Sequence, residues 1–273
     1  MKSSSLSRAI DTFQSLFFYG SSGLVAFGCY LNTEMGVSPS FYPLLWFAGG
    51  MFIYNLDRLI PDPADPINVP NRARFTHARK WLIRFSLAVL IVTPIYEKNW
   101  LLLGLIGVAA IVSAFYCIIP PGFSGRIKDA PLLKWVMPPI VVLATLTVPI
   151  WIKVDSWELL LKHWALLGGI FIALLTNILL FDQRDTMGDT SSGVRTLANW
   201  LEPKSFFRLL YIMMALQIAF LFVELHLEMV VFTIYLGVLV SLIGKKRRPE
   251  FYDWAVDGMF FVPMIVKWLE KLN

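Results

Sequence analysis

Charged residues in this chain gather in clusters, and between the clusters run long stretches with almost no charge. A helix needs roughly 20 apolar residues to cross the hydrocarbon of a bilayer, and somewhat fewer can suffice. On that measure nine membrane-spanning helices are predicted, near 12–31, 40–59, 81–97, 100–119, 133–152, 158–181, 206–224, 227–244 and 254–270. The first is too long and too poorly flanked for a cleaved signal peptide. The expected fold class is an all-α integral membrane protein forming one domain over 1–273. Two four-helix blocks, about 12–119 and 133–244, would be followed by a ninth helix.

Composition points the same way. Hydrophobic residues make up 57% of the chain and charged ones only 16%, with a mean hydropathy of +0.63. A soluble domain carries about a quarter charged residues. Cys29 and Cys117 both lie in apolar stretches, which argues against a disulfide framework or a thiolate metal site. His77, His163 and His226 are scattered without metal-ligand spacing and are expected at interfaces or in packing.

The net charge of +5 and pI near 9.2 would suggest nucleic acid in a soluble protein. Here the distribution of charge says more, and no nucleic-acid partner is expected. Of 24 Lys and Arg, 19 fall at the N-terminus, in the loops after spans two, four, six and eight, or on the span ends facing them. Lysine and arginine concentrate on the cytoplasmic side of membrane proteins. The N-terminus and these long loops are therefore expected in the cytoplasm and the C-terminus on the opposite side. KKRRPEFYD at 245–253 is expected to set topology and touch anionic membrane lipids.

Two of the cytoplasmic loops are acidic. FDQRDTMGDTSSGVRTLANW, 181–200, brings Asp182, Asp185 and Asp189 directly after an apolar run. Positions i, i+3 and i+7 share one stripe of a helix, so these carboxylates would form a ridge if the sixth helix continues past Phe181. Such a ridge near a bilayer needs compensation. A hard cation such as Mg²⁺ takes oxygen ligands and shares them with phosphate. Gly188 and Gly193 allow close approach, and Arg184 and Arg195 offer forked donors. Taken alone, the ridge could equally be a solvated helix end with Asp185 paired to a neighbouring arginine.

The ridge has a counterpart four spans earlier. FIYNLDRLIPDPADPINVPNRARF, 52–75, holds Asp57, Asp62 and Asp65 with Asn55, Arg58, Arg72 and Arg74. Pro61, Pro63, Pro66 and Pro70 rule out a continuous helix beyond Ile60. Two acidic groups at equivalent places in the two blocks suggest one site between them, suited to a diphosphate held through Mg²⁺. The loop 120–135 adds Arg126, Lys128 and Lys134, which could close over the anion or be ordinary positive-inside charge. Asp257, just inside the ninth span, is a functional candidate or a local cap.

On these residues the chain resembles the UbiA superfamily of intramembrane prenyltransferases along essentially its whole length. RDTMGDTSSGVRTL, 184–197, follows that family's second motif, D-x-x-x-D-x-x-x-G-x-x-T-L, with Asp185, Asp189, Gly193, Thr196 and Leu197 in place. The first motif, N-D-x-x-D-x-x-x-D in the family, departs. With Asp57 as its second aspartate, Ile53, Tyr54 and Pro61 occupy the other three positions.

The resemblance implies nine helices around a central cavity, Mg²⁺ as cofactor, and transfer of a prenyl group from a polyprenyl diphosphate to a lipophilic acceptor. Catalytic roles would fall to Asp57, Asp185 and Asp189, and metal ligation to these with Asp62, Asp65 and Asp182. Diphosphate contacts would come from Asn55, Arg58, Arg72, Arg126, Lys128 and Arg195. Tyr54, Tyr116 and Asp257 would line the acceptor pocket. The irregular first motif keeps open a terpene cyclase, which ionises the same donor without an acceptor. A non-enzymatic scaffold or transporter would not call for two matched acidic helix ends.

Overall fold

The computed structural model describes residues 12–38, 40–60, 64–68, 75–118, 126, 128, 130–243 and 251–272, and every regular element among them is helical. In chain order these are α1 (Phe18–Glu34), α2 (Tyr42–Leu59), the single turn α3 (Asp65–Asn68), α4 (Thr76–Tyr96) and α5 (Trp100–Cys117). There follow α6 (Pro131–Val154), the short α7 (Glu158–Lys162), α8 (Trp164–Ser191), the short α9 (Leu197–Trp200), α10 (Pro203–Val223) and α11 (Leu227–Ile243). A π-helical turn (Tyr252–Val256), a 3₁₀ turn (Met259–Phe261) and α12 (Val262–Glu270) complete the described chain.

Helices occupy all nine predicted segments. Four stretches are long and apolar enough to cross a membrane: Trp100–Cys117, Leu132–Val154, Trp164–Ser191 and Pro203–Val223. Leu227–Ile243 is a shorter apolar helix. Exposed apolar side chains such as Phe85, Val92, Val108, Ile111 and Phe222 cover the outside of the bundle. Exposed aromatics stand near helix ends, at Trp81, Tyr96, Trp100, Trp157, Trp164, Trp200 and Trp268. Amphipathic rings favour that level at a membrane–water boundary.

Three helix ends differ from expectation, each for a local reason. The first helix is interrupted at Phe17, whose φ of 64° lies in the left-handed region. That conformation costs a non-glycine residue roughly 1–2 kcal/mol. Stacking of the Phe17 ring on Tyr54, centroids 3.9 Å apart, offsets it. The sixth segment breaks at His163, so that α7 and α8 are separate helices. The ninth is not one α-helix: Pro263 has no N–H to give the carbonyl four residues back, and the chain passes through π and 3₁₀ turns first.

The central pillar is α8. In its apolar window 61% of the residues are buried, against 17% in α5 and 22% in α10, so α8 sits inside and the others face outward. Its 28 residues span about 42 Å at 1.5 Å each, more than the roughly 30 Å of bilayer hydrocarbon. The helix is thus longer than a crossing needs, and its polar residues fall in the final turns, from Asp182 on.

Helix association in lipid depends on close packing, because lipid tails are as apolar as the helices. At the α1–α2 crossing Gly28 faces Trp46, and an added Cβ would stand 2.4 Å from the indole. Around it Phe27, Tyr30, Leu31, Trp46, Ile150, Ile170, Leu179, Phe232 and Met259 form the buried core.

Helix α6 carries Pro138, Pro139 and Pro149 in its interior. Each lacks the N–H that would bond the carbonyl four residues earlier, which deprives Lys134, Trp135 and Thr145 of that partner. Two of these carbonyls are served from elsewhere. The Trp46 indole N–H donates to Thr145 O at 3.0 Å, and the Tyr116 hydroxyl approaches Lys134 O at 3.5 Å. Prolines in α6 thus fix two side chains that α2 and α5 turn toward the same cavity.

Candidate functional site

The cavity has a volume of about 360 Å³. Most of its wall is apolar or aromatic, from Trp46, Ile53, Val141, Leu146, Ile178 and Phe260. At one end the wall becomes ionic, with Asp57 and Arg58 from α2, Arg184 and Asp185 from α8, and Asp253 and Asp257 from the last helical segment. Segments more than a hundred residues apart in sequence thus meet at one polar rim.

The acidic stripe of α8 divides. At about 100° per residue, Asp189 lies roughly 20° from Asp182 around the helix, while Asp185 lies roughly 60° away. That difference is enough to send them to different neighbours. Asp182 and Asp189 turn to α6, where the Lys134 ammonium sits between them, 3.1 Å from Asp182 Oδ1 and 2.9 Å from Asp189 Oδ2. Both are buried, at 3% and 4% exposure, and Asp182 Oδ2 has no hydrogen-bond partner. Neither lines the cavity.

Asp185 does line it, clasped by its neighbour Arg184: Nε and Nη2 donate to its two oxygens at 2.7 and 2.9 Å. The remaining fork of Arg184 donates to Asp253 Oδ1 at 2.7 Å. The guanidinium also lies over the Phe181 ring, 4.7 Å from its centroid. The helix end with Asp185 paired to a neighbouring arginine is thus present, but it forms part of a cavity wall.

Asp189 has a second anchor from the first acidic segment. The Asn68 amide donates to Asp189 Oδ1 at 3.2 Å and accepts from the Gly188 backbone N–H at 3.0 Å. A Cβ on Gly188 would fall 2.2 Å from Asn68 Oδ1, so this approach requires glycine. Gly193, at φ 74°, faces open space and serves the turn out of α8.

The first segment supplies Asp57, whose Oδ1 accepts from Lys128 at 2.6 Å. Arg58 lies over the Tyr54 ring at 4.8 Å. Tyr54, Tyr116 and Asp257 all line the cavity. Asn55 does something other than expected. It is fully buried, and its amide donates to Leu16 O at 3.1 Å and Met51 O at 2.8 Å, tying α2 to the start of the chain rather than facing the cavity. Arg126 is half-buried and Arg195 exposed, and neither is among the lining residues. Asp62, Arg72 and the side chain of Asp65 lie outside the described residues.

Two contributors were not among the candidates. Asp253 completes the Arg184 clasp, and its i, i+4 relation to Asp257 was a readable signal for a shared helical face. Asn68 sits among prolines and carries no charge, so nothing in the sequence distinguished it.

A second ionic cluster lies where α1 ends and α11 begins. His226 meets Glu34 Oε2 at 3.0 Å and Glu224 Oε1 at 3.0 Å, and His163 meets Glu224 at 2.9 Å. Lys267 lies 2.8 Å from Glu34 and 2.7 Å from Glu228. Burial alone would raise the Glu224 carboxyl, yet hydrogen bonds with His226 and His163 leave it below the usual range.

Carboxylate oxygens are the donors Mg²⁺ prefers. Their arrangement in the described residues does not fit a resident ion: Asp57, Asp182, Asp185 and Asp189 are each already engaged by a lysine or arginine. Comparison with protein-family models, curated proteins and solved structures gives no match.

Proposed function

We propose that the chain is an intramembrane prenyltransferase acting on a polyprenyl diphosphate and a lipophilic acceptor. The observation that carries this reading is the cavity itself, an apolar, aromatic-walled chamber ending in an ionic rim drawn from both acidic segments. Its volume falls toward the lower end of the roughly 300–1,000 Å³ typical of small-molecule pockets. That suits the reacting end of an isoprenoid and a ring-sized acceptor, with the rest of the chain leaving toward lipid.

In this reading the diphosphate lies at the rim beside Arg58 and arrives with Mg²⁺ bound to it as part of the substrate. Fixed positive charge aimed at the departing diphosphate stabilises it as the C1–O bond breaks and the electron pair leaves with oxygen. The aromatic rings of Trp46 and Phe260 in the cavity wall attract the allylic cation left behind. A nucleophilic carbon or oxygen of the acceptor then bonds to C1 and loses a proton. Asp257 lines the same cavity, and its carboxylate has no hydrogen-bond or ion-pair partner among the described residues, so it is the proton's proposed acceptor.

The test is diphosphate release by the purified chain from prenyl diphosphates of several lengths, with Mg²⁺, with and without membrane extract. Product that forms only with extract supports transfer. A hydrocarbon product formed without any acceptor identifies a cyclase instead. No release at any chain length, together with unchanged behaviour of Asp185→Ala, removes the enzyme reading.

A further inference from the structure

The Asp182–Asp189 pair has the form of a cation site with the cation already supplied by the chain. Lys134 reaches from the first turn of α6 and places its ammonium within 3.1 Å of one carboxylate and 2.9 Å of the other. Asp189 has no free oxygen left, because Asn68 holds Oδ1. Both carboxylates are nearly inaccessible. An incoming Mg²⁺ would have to expel a tethered ammonium and shed most of its water, and Mg²⁺ dehydrates reluctantly. We infer that Lys134 is a built-in cation that replaces a resident divalent ion at Asp182 and Asp189, so that any metal taking part is confined to the cavity rim. The inference rests on the prenyltransferase reading only for what the rim metal would accompany.

The same device occurs at the other end of the bundle. Glu34, His226 and Glu228 set three possible ligand atoms within 4.8 Å of one another, yet Lys267 contacts both carboxylates. In each case a lysine from another helix closes the group: Lys134 ties α6 to α8, and Lys267 ties α12 to α1 and α11. The consequence for α8 is a division of labour within its acidic segment. Asp185 faces the cavity, whereas Asp182 and Asp189 fix the helix against α6 and the Asn68 turn.

With Lys134 removed, Asp182 would offer two oxygens, including the unpartnered Oδ2, beside the Asp189 carboxylate. That defines the experiment. The full chain is purified in detergent, titrated with Mn²⁺ and followed by electron paramagnetic resonance, with thermal melts in parallel. Wild type and Asp189→Asn should bind the same number of Mn²⁺ ions. Lys134→Met should gain one tightly held ion per chain and melt higher when Mn²⁺ is added. Lys134→Met/Asp189→Asn should lose that gain, and Lys134→Arg should behave as wild type. The inference is overturned if Asp189→Asn lowers the Mn²⁺ count of the otherwise native chain, or if folded Lys134→Met binds no more than wild type. Should Lys134→Met fail to fold, the comparison of wild type with Asp189→Asn decides alone. Diphosphate release measured on the same samples separates the two ideas. Mn²⁺ counts as expected without turnover remove prenyl transfer and leave the role of Lys134 standing, while turnover with a metal-loaded pair does the reverse.

Discussion

Replacing Gly188 by alanine should destabilise the protein, although the same change inside an ordinary helix stabilises it by about 1 kcal/mol. The reason is Asn68, whose Oδ1 would stand 2.2 Å from the new Cβ and must move away. Two hydrogen bonds go with it, one from the Gly188 N–H at 3.0 Å and one to the Asp189 carboxylate at 3.2 Å. A neutral bond is worth about 1 kcal/mol and one to a charged group roughly 1.5–3 kcal/mol. Setting the helix gain against these losses leaves a net cost of roughly 1–3 kcal/mol. The assay is detergent-to-SDS unfolding followed by tryptophan fluorescence, run as a double-mutant cycle with Asn68→Ala. Once Asn68 is truncated the alanine meets no obstacle, so Gly188→Ala should then be neutral or stabilising. Independent, additive effects of the two changes, or a Gly188→Ala protein more stable than wild type, would refute the placement of Asn68 against α8.

Other expectations follow from the same geometry. Arg58→Met should reduce kcat/KM for diphosphate release roughly 10- to 100-fold, the equivalent of one charge-assisted contact at about 1.4 kcal/mol per tenfold. Asn55→Ala should instead lower thermal stability and leave KM near wild type, because its amide serves two backbone carbonyls. Trp46→Phe leaves Thr145 O without its indole donor. The cost should shrink by about 1 kcal/mol in a Pro149→Ala background, where a backbone N–H returns. Glu224, in the turn between α10 and α11, titrates below the usual carboxylate range in the folded chain. A depressed folded value means stability that is present above the unfolded value, about 4.3, and is lost as pH falls through the folded one. Melts from pH 6 downward should show that loss, and Glu224→Gln should flatten it.

The helices were legible because their signal is additive: some twenty apolar residues outweigh any single exception. The extension of α8 past Phe181 was legible too, since the spacing of Asp182, Asp185 and Asp189 is helical. Their separate fates were not. Whether a carboxylate on that stripe meets Lys134 or the cavity depends on a few tens of degrees and on where α6 stands, and neither is encoded near 182–189. Asn55 shows the converse: it sits beside Asp57 in an apparent motif, yet helical rotation turns it inward to Leu16 and Met51. The last helix was expected to be continuous because hydropathy is blind to backbone donors, and Pro263 removes one at a critical place.

The prolines of α6 have a consequence for changing what the cavity admits. Tyr116 is an obvious position to enlarge for a bulkier guest, but its hydroxyl lies against Lys134 O, a carbonyl that Pro138 has left without its helical donor. The same residue carries the ammonium held by Asp182 and Asp189. Carving space at Tyr116 therefore reaches the acidic end of α8 through a single shared residue. A selectivity redesign would best pair Tyr116→Phe with Pro138→Ala, so that the backbone recovers its own bond and Lys134 keeps its place.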